Sequence, residues 1–213
     1  QLAELEESIV YKQADDEDVK NTILELWKKR LQGVPRNVEV WQQLLSVRSI
    51  VEPPSSNVVW WTKFANLVRR SDRPKKARRI LTYLLVGQNR ELQPDEPIPD
   101  KFPMVKYAYL NLLWNHPDTE LRQVAYTEME RWVANFHQNN RVSAKDKARC
   151  LTKLARWQLK MHHAALDDEA INRIVGTAKQ AIQQAPDWYR AWHTWAIVNY
   201  KFVVHYESNP RNP

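Results

Sequence analysis

Glycine, cysteine and long apolar runs are all scarce in this chain of 213 residues, and each scarcity closes off a class of structure. Only Gly33, Gly87 and Gly176 occur. β-Hairpins, β-bulges and phosphate-cradling loops draw on residues that tolerate left-handed backbone, so a β-rich fold is disfavoured and a glycine-rich nucleotide loop cannot be assembled. Cys150 is the only cysteine. A lone thiol makes no intramolecular disulfide and no cysteine-rich zinc site, and it reads as a small buried residue. No apolar run approaches the roughly eighteen residues of a membrane span. The stretch from Gln1 to Glu7 is acidic and lacks both the positive flank and the apolar core of a secretory signal, so a cytosolic setting is expected.

Acidic residues are also scarce beyond the first twenty positions. Residues 1–20 hold Glu4, Glu6, Glu7, Asp15, Asp16, Glu17 and Asp18 against Lys12 and Lys20, although the whole chain carries a formal charge of +7. The remainder is therefore strongly basic. Such an excess fits an acidic partner, a polyanionic ligand, nucleic acid or a solvated surface, and charge alone does not rank them.

What is abundant is helical periodicity. Ile23, Leu24, Trp27 and Leu31 follow the i, i+3, i+4, i+7 spacing of an amphipathic helix over 18–31, which Gly33-Val34-Pro35 ends. Asn37 is placed to cap a second helix carrying Val38, Trp41, Leu44, Leu45 and Val47, with Pro53-Pro54 as its stop. Further helices are expected over about 57–70, 74–86, 103–115, 119–138, 145–162, 167–184 and 187–205. Pro94, Pro97, Pro99 and Pro103 make 88–102 a stiff connection between hairpins over 1–87 and hairpins over 103–213, the whole forming one continuous array.

The ten tryptophans disclose an internal repeat. Trp41-x-x-Leu44-Leu45, Trp61-x-x-Phe64-Ala65 and Trp192-x-x-Trp195-Ala196 share one pattern, that of the first helix of a tetratricopeptide-like hairpin. Val68, Ala77, Leu81 and Leu84 continue the second example at the matching offsets. Leu151-x-x-Leu154-Ala155 starts another hairpin, whose second helix carries Ala178 and Ala181 and ends at Ala185-Pro186-Asp187. That unit is too long, and 162–168 is the expected insertion. The fold class is thus all-α, with tetratricopeptide/HEAT-like hairpins stacked into an α-solenoid, and the tryptophans are expected in its core.

Catalytic chemistry has no foothold in these residues. There is no nucleophile elbow, no His-Glu-x-x-His and no catalytic-loop His-Arg-Asp. His162-His163 would diverge by about 100° on a helix and has no third ligand type at a useful spacing, so no metal site is expected. Asp15-Asp16-Glu17-Asp18 and Asp167-Asp168 stand at helix starts, where they complement the macrodipole. The basic residues are less easily assigned. Arg149 and Lys153 lie four apart on one face, where like charges cost roughly 0.2–0.5 kcal/mol unless an anion neutralises them. Arg190 sits in the first turn of the next hairpin, where backbone N–H groups favour anions. Arg78, Arg79, Arg69, Arg70, Arg73, Lys75 and Lys76 add charge upstream. A solvated surface and a polyanion pocket both remain open on these grounds.

Several segments carry a family resemblance. Leu31-Gln32-Gly33, Asn37 through Ser49, Tyr107-Ala108-Tyr109-Leu110, Ala148-Arg149-Cys150 and Trp188-Tyr189-Arg190-Ala191-Trp192-His193-Thr194-Trp195-Ala196 resemble the later part of the FAT domain of TOR kinases. The resemblance implies a noncatalytic helical clamp that braces and regulates the kinase domain of the same chain, a serine/threonine kinase. It also implies a basic pocket for inositol hexakisphosphate or a related inositol polyphosphate. Arg149, Lys153 and Arg190 match basic positions of that pocket, and Arg48 and Arg79 are further members. Arg190 stands where lysine is common, which keeps the charge and alters the geometry. Implied partners are TOR-complex regulatory subunits such as raptor-like and WD-repeat proteins, with no direct nucleic acid and no transmembrane segment. The implied location is cytoplasmic, with peripheral association at the lysosomal or vacuolar membrane through partners. A half-tetratricopeptide RNA-processing scaffold is the alternative, and it would expose its aromatics for base stacking.

Overall fold

In a computed structural model the protein is all-α, with ten helices and no strand among the described residues. The structure describes residues 2–87, 92–93, 96–136, 141–162 and 167–208. The helices are α1 (Leu2–Gln13), α2 (Glu17–Gly33), α3 (Val38–Arg48), α4 (Val58–Arg70), α5 (Pro74–Val86), α6 (Pro103–Trp114), α7 (Thr119–Ala134), α8 (Ala144–Met161), α9 (Asp168–Gln184) and α10 (Tyr189–Ser208). All but α1 lie within a few residues of the stretches that periodicity predicts. The acidic N-terminal stretch, for which no helix is expected, forms α1.

Local chemistry explains the boundaries. Asp16, Asn37, Asp118, Ser143 and Asp167 each accept a backbone N–H at the start of a helix, which satisfies donors the helix itself cannot. Asn37 and the two acidic clusters thus cap as expected. Gly87 closes α5 in the left-handed conformation (φ 70°), its N–H reaching the Tyr83 carbonyl at 2.8 Å. One boundary differs. α3 stops at Arg48, ahead of Pro53, where i→i−3 bonds from the Ile50 N–H to the Val47 carbonyl (3.2 Å) and from the Val51 N–H to the Arg48 carbonyl (3.1 Å) tighten the chain out of the helix. Pro94, His163 and most of the expected insertion lie outside the described residues.

The chain divides into two compact units, Gln1–Leu112 and Leu113–Pro213, with the division inside α6. In the first unit, α1 packs on α2 and α3, α3 on α4, and α4 on α5. Phe64, Ala65 and Val68 of α4 and Ala77 and Leu81 of α5 are buried, the residues that the repeat places between paired helices. Trp41 meets Trp60 with ring centres 6.2 Å apart and seats α3 on α4. In the second unit, α8 and α9 form a hairpin and α10 packs on both. Ala155 and Ala178 share one cluster with Ile174, Val198 and Phe202, and Leu151, Ala181 and Ala191 form another. Trp157 stacks on Trp114 at 4.4 Å.

A buried ion pair ties α1 into the first unit. Glu4, 1% exposed, takes two hydrogen bonds from Arg48 of α3, at 2.7 Å from Nε and 2.9 Å from Nη2. Arg30 of α2 bonds the same carboxylate and also Glu7, at 2.6 and 2.8 Å. Trp27 Nε1 donates to Glu7 at 2.8 Å, and Tyr11 stacks on the same indole at 5.6 Å. Burial by itself would raise the Glu4 pKa, but the hydrogen bonds and charges of Arg48 and Arg30 outweigh it and hold the carboxyl below its ordinary value of 4.5.

Removing one partner of such a pair strands a buried charge and typically costs about 3–5 kcal/mol. Arg48→Met should destabilise the chain by that order in urea unfolding at pH 7, whereas a loss under about 1 kcal/mol would contradict this account. Because the folded-state pKa is depressed, the contribution is complete above the ordinary carboxylate range and fades as pH falls through the lowered value. Glu4→Gln should accordingly flatten the loss of stability between neutral pH and pH 3.

Candidate functional site

The second unit gathers basic side chains at the seam between α8 and α10. Helix α8 starts from a reciprocal cap, in which the Asp146 N–H donates to Ser143 Oγ at 3.1 Å while that hydroxyl donates to the Asp146 carboxylate at 2.7 Å. Its apolar face, Leu151, Leu154, Ala155 and Trp157, is buried. At 3.6 residues per turn, Arg149, Lys153, Arg156 and Lys160 then fall within about 60° on the opposite side. Periodicity alone therefore builds a basic stripe.

Contacts across the seam place Arg190 beside that stripe. Leu151 clusters with Ala191, Ala155 clusters with Val198 and Phe202, and Thr194, which Arg156 bonds, lies between Ala191 and Val198 on α10. The Arg156 guanidinium donates to Thr194 Oγ1 at 2.9 Å from Nη2 and 3.2 Å from Nε. Residue numbers rise together on both helices, so α8 and α10 run parallel. Level with Leu151 and Ala191, Arg149, Lys153 and Arg190 all lie within about two residues, or roughly 3 Å of rise, of one plane across the two helices. On the α10 wheel Arg190 is about 40° from Thr194, on the edge turned to the stripe.

Each cation has a distinct setting. Arg149 is exposed and pairs with Asp146 at 2.5 Å, an i, i+3 contact that an arriving anion would compete with. Lys153 is half-buried, its ammonium 5.9 Å from the Trp157 ring. Arg190 is exposed in the first turn of α10. Arg156, which the sequence reading left out, is anchored by a buried threonine. Its position was available from the sequence, since 149, 153, 156 and 160 complete one i, i+3/i+4 series.

The first unit treats its two expected pocket members differently. Arg48 is 4% exposed. Its Nε and Nη2 serve Glu4, its Nη1 donates to the Trp27 carbonyl at 3.1 Å, and its guanidinium lies 5.1 Å from the Trp27 ring. The expectation that Arg48 meets an anionic ligand is corrected: its counter-ion is internal, and every nitrogen is occupied. Arg79 is exposed at an apolar cleft of about 230 Å³ lined by Pro54, Trp61, Ile80, Tyr83 and Leu84. Of its basic neighbours, Arg73 pairs with Glu39 at 2.8 Å and Lys76 bonds Gln42. Burial and the adjacent Arg70 charge push the Arg69 pKa down.

The aromatic expectation also divides. Trp27, Trp41, Trp60, Trp114, Trp132 and Trp157 are core residues, and Trp61 and Trp188 are half-buried. Among the described residues Trp192 and Trp195 are not core, at 47% and 36% exposed, and no described helix of the second unit covers that side of α10.

A family model described as the FAT domain matches residues 1–213. Among curated relatives, serine/threonine-protein kinase tor1 of Schizosaccharomyces pombe is 31% identical over 97% of this chain and 10% of its own length. Serine/threonine-protein kinase mTor of Drosophila melanogaster is 33% identical over 95% of the chain and 8% of the relative. Serine/threonine-protein kinase TOR of Arabidopsis thaliana is 35% identical over 98% and 9%. The chain thus spans about a tenth of the length of the relatives it matches.

If the Arg156 bond sets the α8–α10 register, a double-mutant cycle of Arg156→Ala and Thr194→Val should return a coupling of about 1–2 kcal/mol in thermal or urea unfolding. Additive losses would show that the seam is held by its apolar contacts alone.

Proposed function

The chain belongs to the FAT domain family, and on that premise we propose that it is a noncatalytic helical scaffold within a TOR-type serine/threonine kinase, where it braces the kinase domain and holds an inositol polyphosphate as a structural cofactor. The observation that carries the ligand reading is the seam: Arg149 and Lys153 of α8 and Arg190 of α10 lie near one level, and Arg156 follows on the same stripe further along α8, bonded to Thr194. Cations from different helices that converge repel one another, and a compact molecule with many phosphates relieves that repulsion at several points together. Asp146 is the acid in the way, and its exposed pair with Arg149 is of the kind worth little in water.

The chemical division of labour follows from the side chains. Arginine forks suit two oxygens of one phosphate, whereas Lys153 offers a point charge that can follow the ligand. Arg190 lies where the first-turn N–H groups of α10 add positive potential. Because the site joins two helices of one unit, a bound polyphosphate fastens α8 to α10 and stiffens the scaffold. Bracing of the kinase domain, contact with raptor-like or WD-repeat regulatory subunits, and work in the cytoplasm are the remaining parts of the proposal. Consistent with a location outside the bilayer, no helix among the described residues is long and apolar enough to cross a membrane.

Titration with inositol hexakisphosphate tests the reading. Ligand at a hundred times Kd should add about 2.7 kcal/mol of stability to the unmodified chain. Arg149→Glu combined with Lys153→Glu should raise Kd at least tenfold and abolish that gain. An unchanged melting temperature with and without ligand in the unmodified chain would overturn the cofactor reading. Salt-dependent binding of mixed single-stranded RNA, retained in the variant, would favour the RNA-scaffold alternative.

A further inference from the structure

Helices α4 and α5 leave an apolar cleft open at the surface of the first unit. Trp61 of α4, Ile80, Tyr83 and Leu84 of α5, and Pro54 of the loop before α4 line it, and Arg79 is the charged residue of its wall. Its volume is about 230 Å³. An apolar cavity of about 150 Å³ is enough for a benzene ring, so the cleft has room for one phenyl or isobutyl side chain. The wall behind it is fixed, because the Trp61 ring lies edge-on to the buried Phe64 with centres 6.0 Å apart. Tyr83 remains 39% exposed. Tryptophan, tyrosine and arginine are the side chains that contribute most at binding surfaces, and here one of each lines a single opening.

The charge around the cleft is predominantly of one sign. Seven of the eleven residues from 69 to 79 are basic, and Asp72 is the one acid among them. Arg79 is exposed, as are Lys75, Arg73 and Arg70 towards the α4–α5 turn. Lys76 precedes Arg79 by three residues and Tyr83 by seven, which puts all three on one face of α5. Its ammonium bonds the neutral Gln42. Glu39 of α3 reaches this side, an exposed acid that pairs with Arg73 at 2.8 Å and interacts with Lys76. Helix α5 has no acid in its first turn, so the positive end of its dipole adds to the field.

We propose that this cleft is a docking site for a short acidic segment of a partner protein, in which one phenylalanine or leucine fills the apolar opening and a neighbouring carboxylate pairs with Arg79. The planar fork of an arginine matches the two oxygens of a carboxylate. Lys76 lies roughly 4.5 Å of helix rise before Arg79, a distance that one or two residues of an extended peptide span. A second acid can therefore meet Lys76 while the first holds Arg79, and further acids run on towards Lys75. Phosphate-rich ligands and nucleic acids do not suit the cleft, because their charged groups would have to shed water against an apolar wall. A peptide places an uncharged side chain there and leaves its carboxylates at the wet rim. The proposal rests on α4 and α5 and is independent of the polyphosphate reading, which concerns α8 and α10.

Fluorescence anisotropy on the purified full-length protein tests it, with a labelled peptide of sequence Glu-Glu-Asp-Phe-Leu-Asp-Glu-Glu as the probe. Acids flank the anchor on both sides, so the result does not depend on the direction in which the peptide lies. The probe should bind about tenfold more tightly than a version with lysine for every acid, and about tenfold more tightly than one with alanine for Phe-Leu. Arg79→Glu and Tyr83→Ala, both at exposed positions, should each weaken it by about tenfold. Lys179→Glu makes the same charge change at an exposed site on α9 and should leave Kd within about twofold. A benzoylphenylalanine in place of Tyr83 should cross-link to the probe on illumination. Absence of binding, or equal binding of the alanine version, would overturn the proposal, the latter by reducing it to plain charge attraction. An equal loss in Lys179→Glu would overturn it too, as would a benzoylphenylalanine that cross-links to another segment of the same chain or to a second copy instead of the probe.

Discussion

No hairpin in this chain can bury its own apolar residues, and that constraint organises everything else. A pair of amphipathic helices has at least two apolar sides, one toward its mate and one toward the next pair. The mate-facing side is governed by close approach. Ala155 and Ala178 are wholly buried in one cluster, so the distance between α8 and α9 is set by side chains no larger than a methyl group. The next-pair side is governed by reach, and there larger groups such as Val198 and Phe202 span the gap. Small residues inside and large residues outside give each helix an address within the array.

Charge is used in two opposed ways on this frame. In the first unit a glutamate is taken out of water and its cost is offset by two arginines supplied by neighbouring helices, one of which lies against the Trp27 ring. In the second unit cations are lined along an edge, where Arg149 bonds the exposed Asp146. The first arrangement is complete in itself. The second sits at an exposed surface, and this difference separates the buried Arg48 from the exposed Arg149 although both are arginines of helices with the same repeat pattern.

Much of this was legible in the sequence because it depends on spacing along a helix. The caps at Asn37 and Asp167, the alanines at the α8–α9 junction and the alignment of Arg149 with Lys153 all follow from local periodicity. What was not legible depends on partners far along the chain. Glu4 looks like a surface acid until Arg48 is folded over it, and for the same reason Arg48 looks like a surface base. Helix α1 escaped notice because its inward face presents Glu4 and Ser8 where a core helix ordinarily presents leucine. Trp192 and Trp195 were expected in the core from their offsets and are exposed instead, because burial needs an occupant as well as a pattern. Arg156 was missed for a simpler reason: a basic residue tied to a threonine hydroxyl breaks no rule of composition.

The Glu4–Arg48 pair also imposes an order of events during synthesis. Its two members are 44 residues apart, so at roughly 5–20 residues per second the carboxylate leaves the ribosome several seconds before its principal partner. Docking α1 in that interval would place a carboxylate in the core without its chief counter-ion, a state that desolvation opposes. Until α3 has been made, burying α1 would leave Glu4 with Arg30 of α2 as its counter-ion and without Arg48.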